Sequence, residues 1–232
     1  MELLLGRDAT FTPITVSTPT ILHCLGPANV GRNEFMIELA RQAIDSGACI
    51  IYVTDQSDPS TWAKIYSAAE NAERQNECFA KSSVSPGLLE VSISGIVSQG
   101  AILCYRRSFS ENADEFQQFL DDLVHAVSQR ILINKPIIVI FDDLHEVPVQ
   151  LRELFAHADS ANVSCVLGDP DAKFVDQVLP SVSIDLRVGG VGEAVVLIPT
   201  DKDLLTHKIK LAHEHIDLAK KLVPANFVIK AY

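Results

Sequence analysis

Short apolar runs punctuate the chain: TILHCL (20–25), ACIIYVT (48–54), GAILCYR (100–106), PIIVIFDD (136–143), VSCVLG (163–168), VSIDLRV (182–188) and EAVVLIP (193–199). They are continuous rather than alternating and rich in Ile, Val and Leu, the pattern of strands covered on both faces. Between them the apolar positions change to steps of three and four. Over 33–45 they place Phe35, Leu39 and Ala43 on one stripe, and over 110–131 they place Phe116, Phe119, Leu120, Leu123 and Val127 together. Ser110, with Asp114 in the first turn, suits a helix start. The stretch 201–222 predicts a last helix, stopped by Pro224, with a tail to 232. Strand and helix in alternation predict an α/β fold, a mostly parallel central sheet flanked by helices with right-handed crossovers.

Three stretches depart from this alternation. Residues 1–19 carry Pro13 and Pro19 and predict an N-terminal edge hairpin. The runs 182–188 and 193–199, joined by GGVG, predict antiparallel edge strands at the C-terminal end of the sheet. Residues 82–98 are small, polar and punctuated by glycine, so they predict a loop with one short strand, LLEVSIS (88–94). No internal repeat or low-complexity tract is present. With 232 residues, 47% of them hydrophobic, the chain is expected to fold as one domain over 1–232.

Charge narrows the partners. The formal net charge of −11 repels phosphate backbones and anionic lipid, so protein partners are expected and nucleic acid is not. No apolar run approaches the roughly 20 residues of a membrane span, and MELLLG is too short and acidic for a signal peptide, so no membrane insertion is expected. Cys24, Cys49, Cys78, Cys104 and Cys165 form no C-x-x-C pair and lie mostly in apolar runs, which reads as buried, reduced thiols and a cytoplasmic protein.

The candidate chemistry lies in LHCLGPANVGRN (22–33). A phosphate-binding P-loop needs a strand, then G-x-x-x-x-G-K-[ST], then a helix, because the turn aims successive backbone N–H groups at phosphate from a helix N-terminus. Gly26, Pro27, Ala28, Asn29, Val30 and Gly31 supply that frame. Arg32 stands where Lys is needed, and its planar fork does not replace a lysine's point contact. Asn33 stands where a hydroxyl anchors Mg²⁺, and its neutral amide is a poor substitute. The partner strand PIIVIFDD ends in Asp142, at the place of a Mg²⁺-water ligand, and Asp143, one methylene shorter than the Glu common there.

In these residues the chain resembles the motor domain of the conjugative coupling ATPases of type IV secretion, within the FtsK/HerA group of RecA-like P-loop NTPases. The likeness runs over 3–199: LLLGRD is similar to the group's leading hairpin, GACIIYVTDQSD to its strand ending in D-P-K-G-D, and VSCVLGDPD to its next core strand. The resemblance implies a RecA-like fold and a ring-forming ancestry in which a neighbour completes each site. It also exposes the departures. Gln56 replaces the lysine of D-P-K-G-D, and Gly168 and Asp169 stand where a Gln senses the γ-phosphate. The group's membrane helices and inserted all-α domain have no counterpart, since too few residues separate Asp58 from Gly100.

With Lys, Ser/Thr, Glu and the sensor Gln all replaced, the groups that neutralise charge and orient water are gone. The expectation is therefore a degenerate, non-hydrolysing domain without cofactor. It would act as an adaptor or scaffold beside protein partners in a secretion or conjugation complex, a true coupling ATPase among them, and reach the inner membrane only through those partners. The alternative is an active or nucleotide-sensing ATPase with ATP and Mg²⁺, Asp142 holding the metal and Asp142 and Asp143 catalytic.

Weaker signals read as structural. His213 and His215 fall on different faces of a helix, and GIVSQG (95–100) is not a nucleophile elbow. His145 reads as a hydrogen-bonded structural side chain, Asp121 and Asp122 as a solvated face, and Trp62 with Tyr66 as core packing.

Overall fold

The computed structural model describes residues 1–54, 60–82, 92–107, 113–129, 135–143, 147–174, 180–188, 192–200 and 203–211. In chain order the elements are β1 (Glu2–Arg7), β2 (Pro13–Ser17), β3 (Ile21–Leu25), α1 (Arg32–Asp45), β4 (Cys49–Thr54), α2 (Ser60–Asn71), β5 (Cys78–Ser82), α3 (Ile93–Gln99), β6 (Ile102–Arg106), α4 (Ala113–Ser128), β7 (Ile137–Phe141), α5 (Val149–Ala156), α6 (Ala158–Ala161), β8 (Val163–Asp169), β9 (Val182–Asp185), β10 (Glu193–Pro199) and β11 (Leu204–Leu211). Among the described residues the strands join into one sheet, ordered β2-β1-β11-β10-β9-β3-β8-β7-β4-β6-β5.

The strands from β9 through β5 run parallel, and β10, β11, β1 and β2 extend the sheet antiparallel. Alternation along each parallel strand feeds two cores. Ile50 and Tyr52 of β4 face α1 and α2 with Phe35 and Leu39. Cys49, Ile51 and Val53 face α3, α4 and α5 with Phe116 and Leu120. Burial on both faces explains why these strands read as unbroken apolar runs.

The structure corrects one expectation, extends a second and bears on part of a third. Residues 204–211 form β11, where a helix was expected over 201–222, and 201–202 and 212–222 lie outside the described residues. Ile209 and Leu211 are buried between exposed Lys208 and Lys210, so a two-residue period overrides the helical spacing. The β9–β10 pair is antiparallel, as expected, and the antiparallel strands reach the sheet's edge; β11 inserts between β10 and β1, and β2 is the outermost strand. Finally, of LLEVSIS (88–94), residues 88–91 lie outside the described residues, while Ile93 and Ser94 open a helix; Ser92 caps it by accepting from the Gly95 N–H at 3.1 Å.

Two polar clamps hold the periphery. Arg74, buried behind α2, donates to the carbonyls of Ile44 (3.1 Å), Ala48 (2.8 Å) and Gly100 (2.6 Å), closing turns at the bottom of the sheet. Gln42 of α1 accepts from the Leu4 N–H at 2.8 Å and donates to its carbonyl at 3.1 Å. It thus acts as a one-residue partner strand beside the register shift between Leu4 and Gly6. Trp62 and Tyr66 contact each other at 5.8 Å between ring centroids, but Tyr66 is exposed, so this pair is a surface feature rather than core.

Candidate functional site

The loop from Gly26 to Gly31 joins β3 to α1 at the carboxyl end of the parallel strands. Gly26 takes a φ of 131° and Gly31 a left-handed φ of 92°, conformations that glycine adopts without a steric cost. Between them Ala28–Val30 make a turn of 3₁₀ helix starting from Pro27. The Val30 N–H donates to Pro27 O at 3.2 Å and the Gly31 N–H to Ala28 O at 3.1 Å, so these two amides are spent inside the loop. The Gly26 N–H donates to Asp169 O at 3.0 Å, tying the loop's first residue to the end of β8. Arg187, at the end of β9, closes the other side: a side chain on Gly26 would meet its Cγ at 3.3 Å. Asp185 holds that guanidinium at 2.7 and 2.9 Å.

Arg32 opens α1 and is fully buried, with its side chain turned back under the loop. Its Nη1 donates to Gly26 O at 2.9 Å, its Nη2 reaches Asn33 Oδ1 at 3.4 Å, and the same Nη2 lies 3.4 Å from Asp143 Oδ1. Its Nε has no hydrogen-bond partner. One guanidinium therefore gathers Gly26, Asn33 and Asp143, which the sequence placed in two separate motifs.

Asp142 follows β7 and is wholly buried. Thr54 Oγ1, at the end of β4, donates to its Oδ2 at 3.4 Å, and its Oδ1 has no hydrogen-bond partner. Burial pushes its pKa up to about 6, while neighbouring Arg32 and Tyr52 pull the other way. β8 separates β3 from β7, and its Gly168 lets the two sides close: a Cβ there would strike the Asp142 carbonyl and the Met36 sulfur.

Asp169, the next residue, turns to the opposite face. Its Oδ2 meets buried His23 Nε2 at 3.1 Å and accepts from the Phe174 N–H at 2.9 Å, and its Oδ1 accepts from the Lys173 N–H at 3.1 Å. Burial would raise this carboxyl, but the bonds from His23, Phe174 and Lys173 outweigh it and hold the pKa below the usual range. Sequence reading missed His23 and Arg187, which are distant in sequence from what they touch. Gln56, His145, His213 and His215 lie outside the described residues. No group of three or more His, Cys, Asp or Glu side chains with metal-binding placement occurs among the described residues.

The side chains at the metal-anchor and acid positions, Asn33 and Asp143, both face the Arg32 guanidinium, and two loop amides are committed elsewhere. What the site holds is a buried cation, a nearby carboxylate and a second carboxyl poised near neutrality.

No family model and no curated protein matches the chain. Solved structures do. VirB4 of Thermoanaerobacter pseudethanolicus gives a TM-score of 0.56 at 8% identity, over 91% of this chain and 96% of its own. The genome packaging NTPase B204 of Sulfolobus turreted icosahedral virus 2, solved with ATP-gammaS, gives 0.54 at 11% identity, over 84% of this chain and 100% of its own. The pCW3 conjugation coupling protein TcpA gives 0.47 at 12% identity, over 90% and 65%. The fold is that of the RecA-like P-loop NTPases, a mixed sheet with a parallel core between helical layers and antiparallel strands beside it.

Proposed function

We propose that residues 1–232 form a single, catalytically degenerate coupling-ATPase-like domain. It serves as a protein-binding adaptor or scaffold subunit of a type IV secretion or conjugation complex that moves DNA or protein. The observation that carries this reading is the Arg32 side chain, buried in the loop and ion-paired to Asp143 where metal and phosphate would meet. The chemistry of turnover needs a compact cation on the phosphates, a metal anchor and a base on water. Here those positions hold a fork engaged with protein oxygens, an amide engaged with that fork, and a short acid paired with it.

The secretion or conjugation assignment draws on the order of motifs from LLLGRD to VSCVLGDPD, together with a fold shared with VirB4 and a genome packaging NTPase. The expected partner is a true coupling ATPase of that complex. Among the described residues no helix is long and apolar enough to cross a membrane, which suits docking through proteins.

A second reading, a nucleotide-sensing or active ATPase, draws on the frame of Gly26 and Gly31, both at positive φ between β3 and α1, and on the two acids after β7. Phosphate release from Mg²⁺-ATP separates the two. The adaptor reading expects none above an Asp142→Ala control, and a defined complex with a coupling ATPase in size-exclusion chromatography. Turnover that vanishes in Asp142→Ala transfers the function to the second reading.

A further inference from the structure

We propose that Arg32 and Asp143 form a latch that fills the phosphate loop with the chain's own charges, so that a polyphosphate anion enters only by taking Asp143's place on Arg32, without a metal ion. The latch rests on the degenerate-loop reading given above, but it concerns binding rather than turnover.

A guanidinium removed from water needs counter-charge and filled donors. Arg32 is fully buried, yet only its Nη1 makes a short bond, to Gly26 O at 2.9 Å, and its Nε has none. Its carboxylate partner, Asp143, stands 3.4 Å away on a side chain that keeps 25% of its surface in solvent, without hydrogen-bond geometry. That is a loose pair. A phosphate offers the fork two parallel acceptors and more charge, so it is the better partner once it reaches the loop.

Asp143 is also the group that an incoming anion must displace, because it is the part-exposed member of the pair while Arg32 is buried. A metal does not assist this exchange. The Arg32 cation already faces both Asn33 and Asp143, and a divalent ion placed between them meets a like charge at close range. Unwinding the 3₁₀ turn then frees the Val30 and Gly31 amides for the ligand.

The test is calorimetric titration of pyrophosphate, in EDTA, into the wild-type protein and into Asp143→Asn, which keeps the volume and removes the competing charge. The variant is expected to bind roughly three- to tenfold more tightly, the effect of releasing a part-exposed ion pair. Replacing EDTA with magnesium should not tighten either protein. Equal affinities, no binding by either protein, or a magnesium-dependent gain in the wild type would each overturn the latch. Asp143→Ser, read the same way, takes over if Asp143→Asn melts early. Hydrolysis by the wild type sinks the adaptor reading, whereas equal pyrophosphate affinities in two folded proteins sink the latch alone.

Discussion

Gly168 of β8 lies so close to Asp142, the residue that follows β7, that a single Cβ on the glycine would collide with the aspartate's backbone carbonyl. The position that resembles a phosphate sensor is here a spacing element: without a side chain, it lets β7 and β8 bring the acid under α1. Any residue with a Cβ forces the strands apart or pushes Met36 out of its place.

Gly168→Ala is therefore expected to destabilise the fold by about 1–3 kcal/mol, the usual cost of overpacking a rigid interior. A urea melt measures it, and an unchanged midpoint would mean that the sheet yields more easily than this contact allows.

Asp142 sets a pH dependence of unusual sign. Its folded pKa, about 6, lies above the ordinary value of 3.8, so between these values the folded protein holds more protons than the unfolded chain. Its contribution to stability is complete below pH 3.8, falls as pH rises through about 6, and is flat above. Asp142→Asn removes that slope. Relative to wild type the variant should gain stability with rising pH across this window, by up to about 3 kcal/mol. Denaturant melts at pH 4, 5, 6 and 7 read the difference directly.

Asp169 works in the opposite direction. Its pKa is held below 3.8, so its stabilisation is present above that pH and is lost as pH falls through the folded value. Asp169→Ala strips buried His23 of its carboxylate and the backbone N–H groups of Asp171, Lys173 and Phe174 of their acceptor. A loss of about 3–5 kcal/mol at pH 7 is expected, with faster amide exchange at Lys173 and Phe174. Exchange unchanged at those two amides would contradict the capping role.

Arg74 reaches three carbonyls from one planar group, and that geometry distinguishes it from lysine. Arg74→Lys should cost about 1–3 kcal/mol, because at least one of the buried carbonyls of Ile44, Ala48 and Gly100 loses its donor. Thermal melts of the two proteins decide this, and equal midpoints would show that one ammonium suffices.

The parallel half of the fold was legible because both faces of its strands are buried, which leaves unbroken apolar runs such as IIVIF in β7 and CIIYVT in β4. Other elements were not, β5 and β11 among them. CFAKS of β5 is short, at the far edge of the sheet, and interrupted by Lys81. LLTHKIKL of β11 alternates only over its last four residues, Lys208 to Leu211, and that short alternation merged with a helical spacing that continued beyond it. The loop's frame was legible from Gly26 and Gly31 and the acid strand from Asp142 and Asp143. The direction of the Arg32 side chain was not, since its carboxylate partner Asp143 is remote in sequence. His23 with Asp169 and Arg187 beside Gly26 are likewise contacts made by topology, with no local pattern to announce them.

The place of β11 between β10 and β1 bears on how the sheet closes. The hairpin of β1 and β2 precedes the rest of the sheet in the chain, yet the strand that joins it to that sheet is the last described one. Without that strand the hairpin has α1 as its anchor, through the Gln42 amide on Leu4. A partly folded chain that lacks β11 thus leaves the margins of β1 and β10 open to wrong pairing until that strand fills the gap.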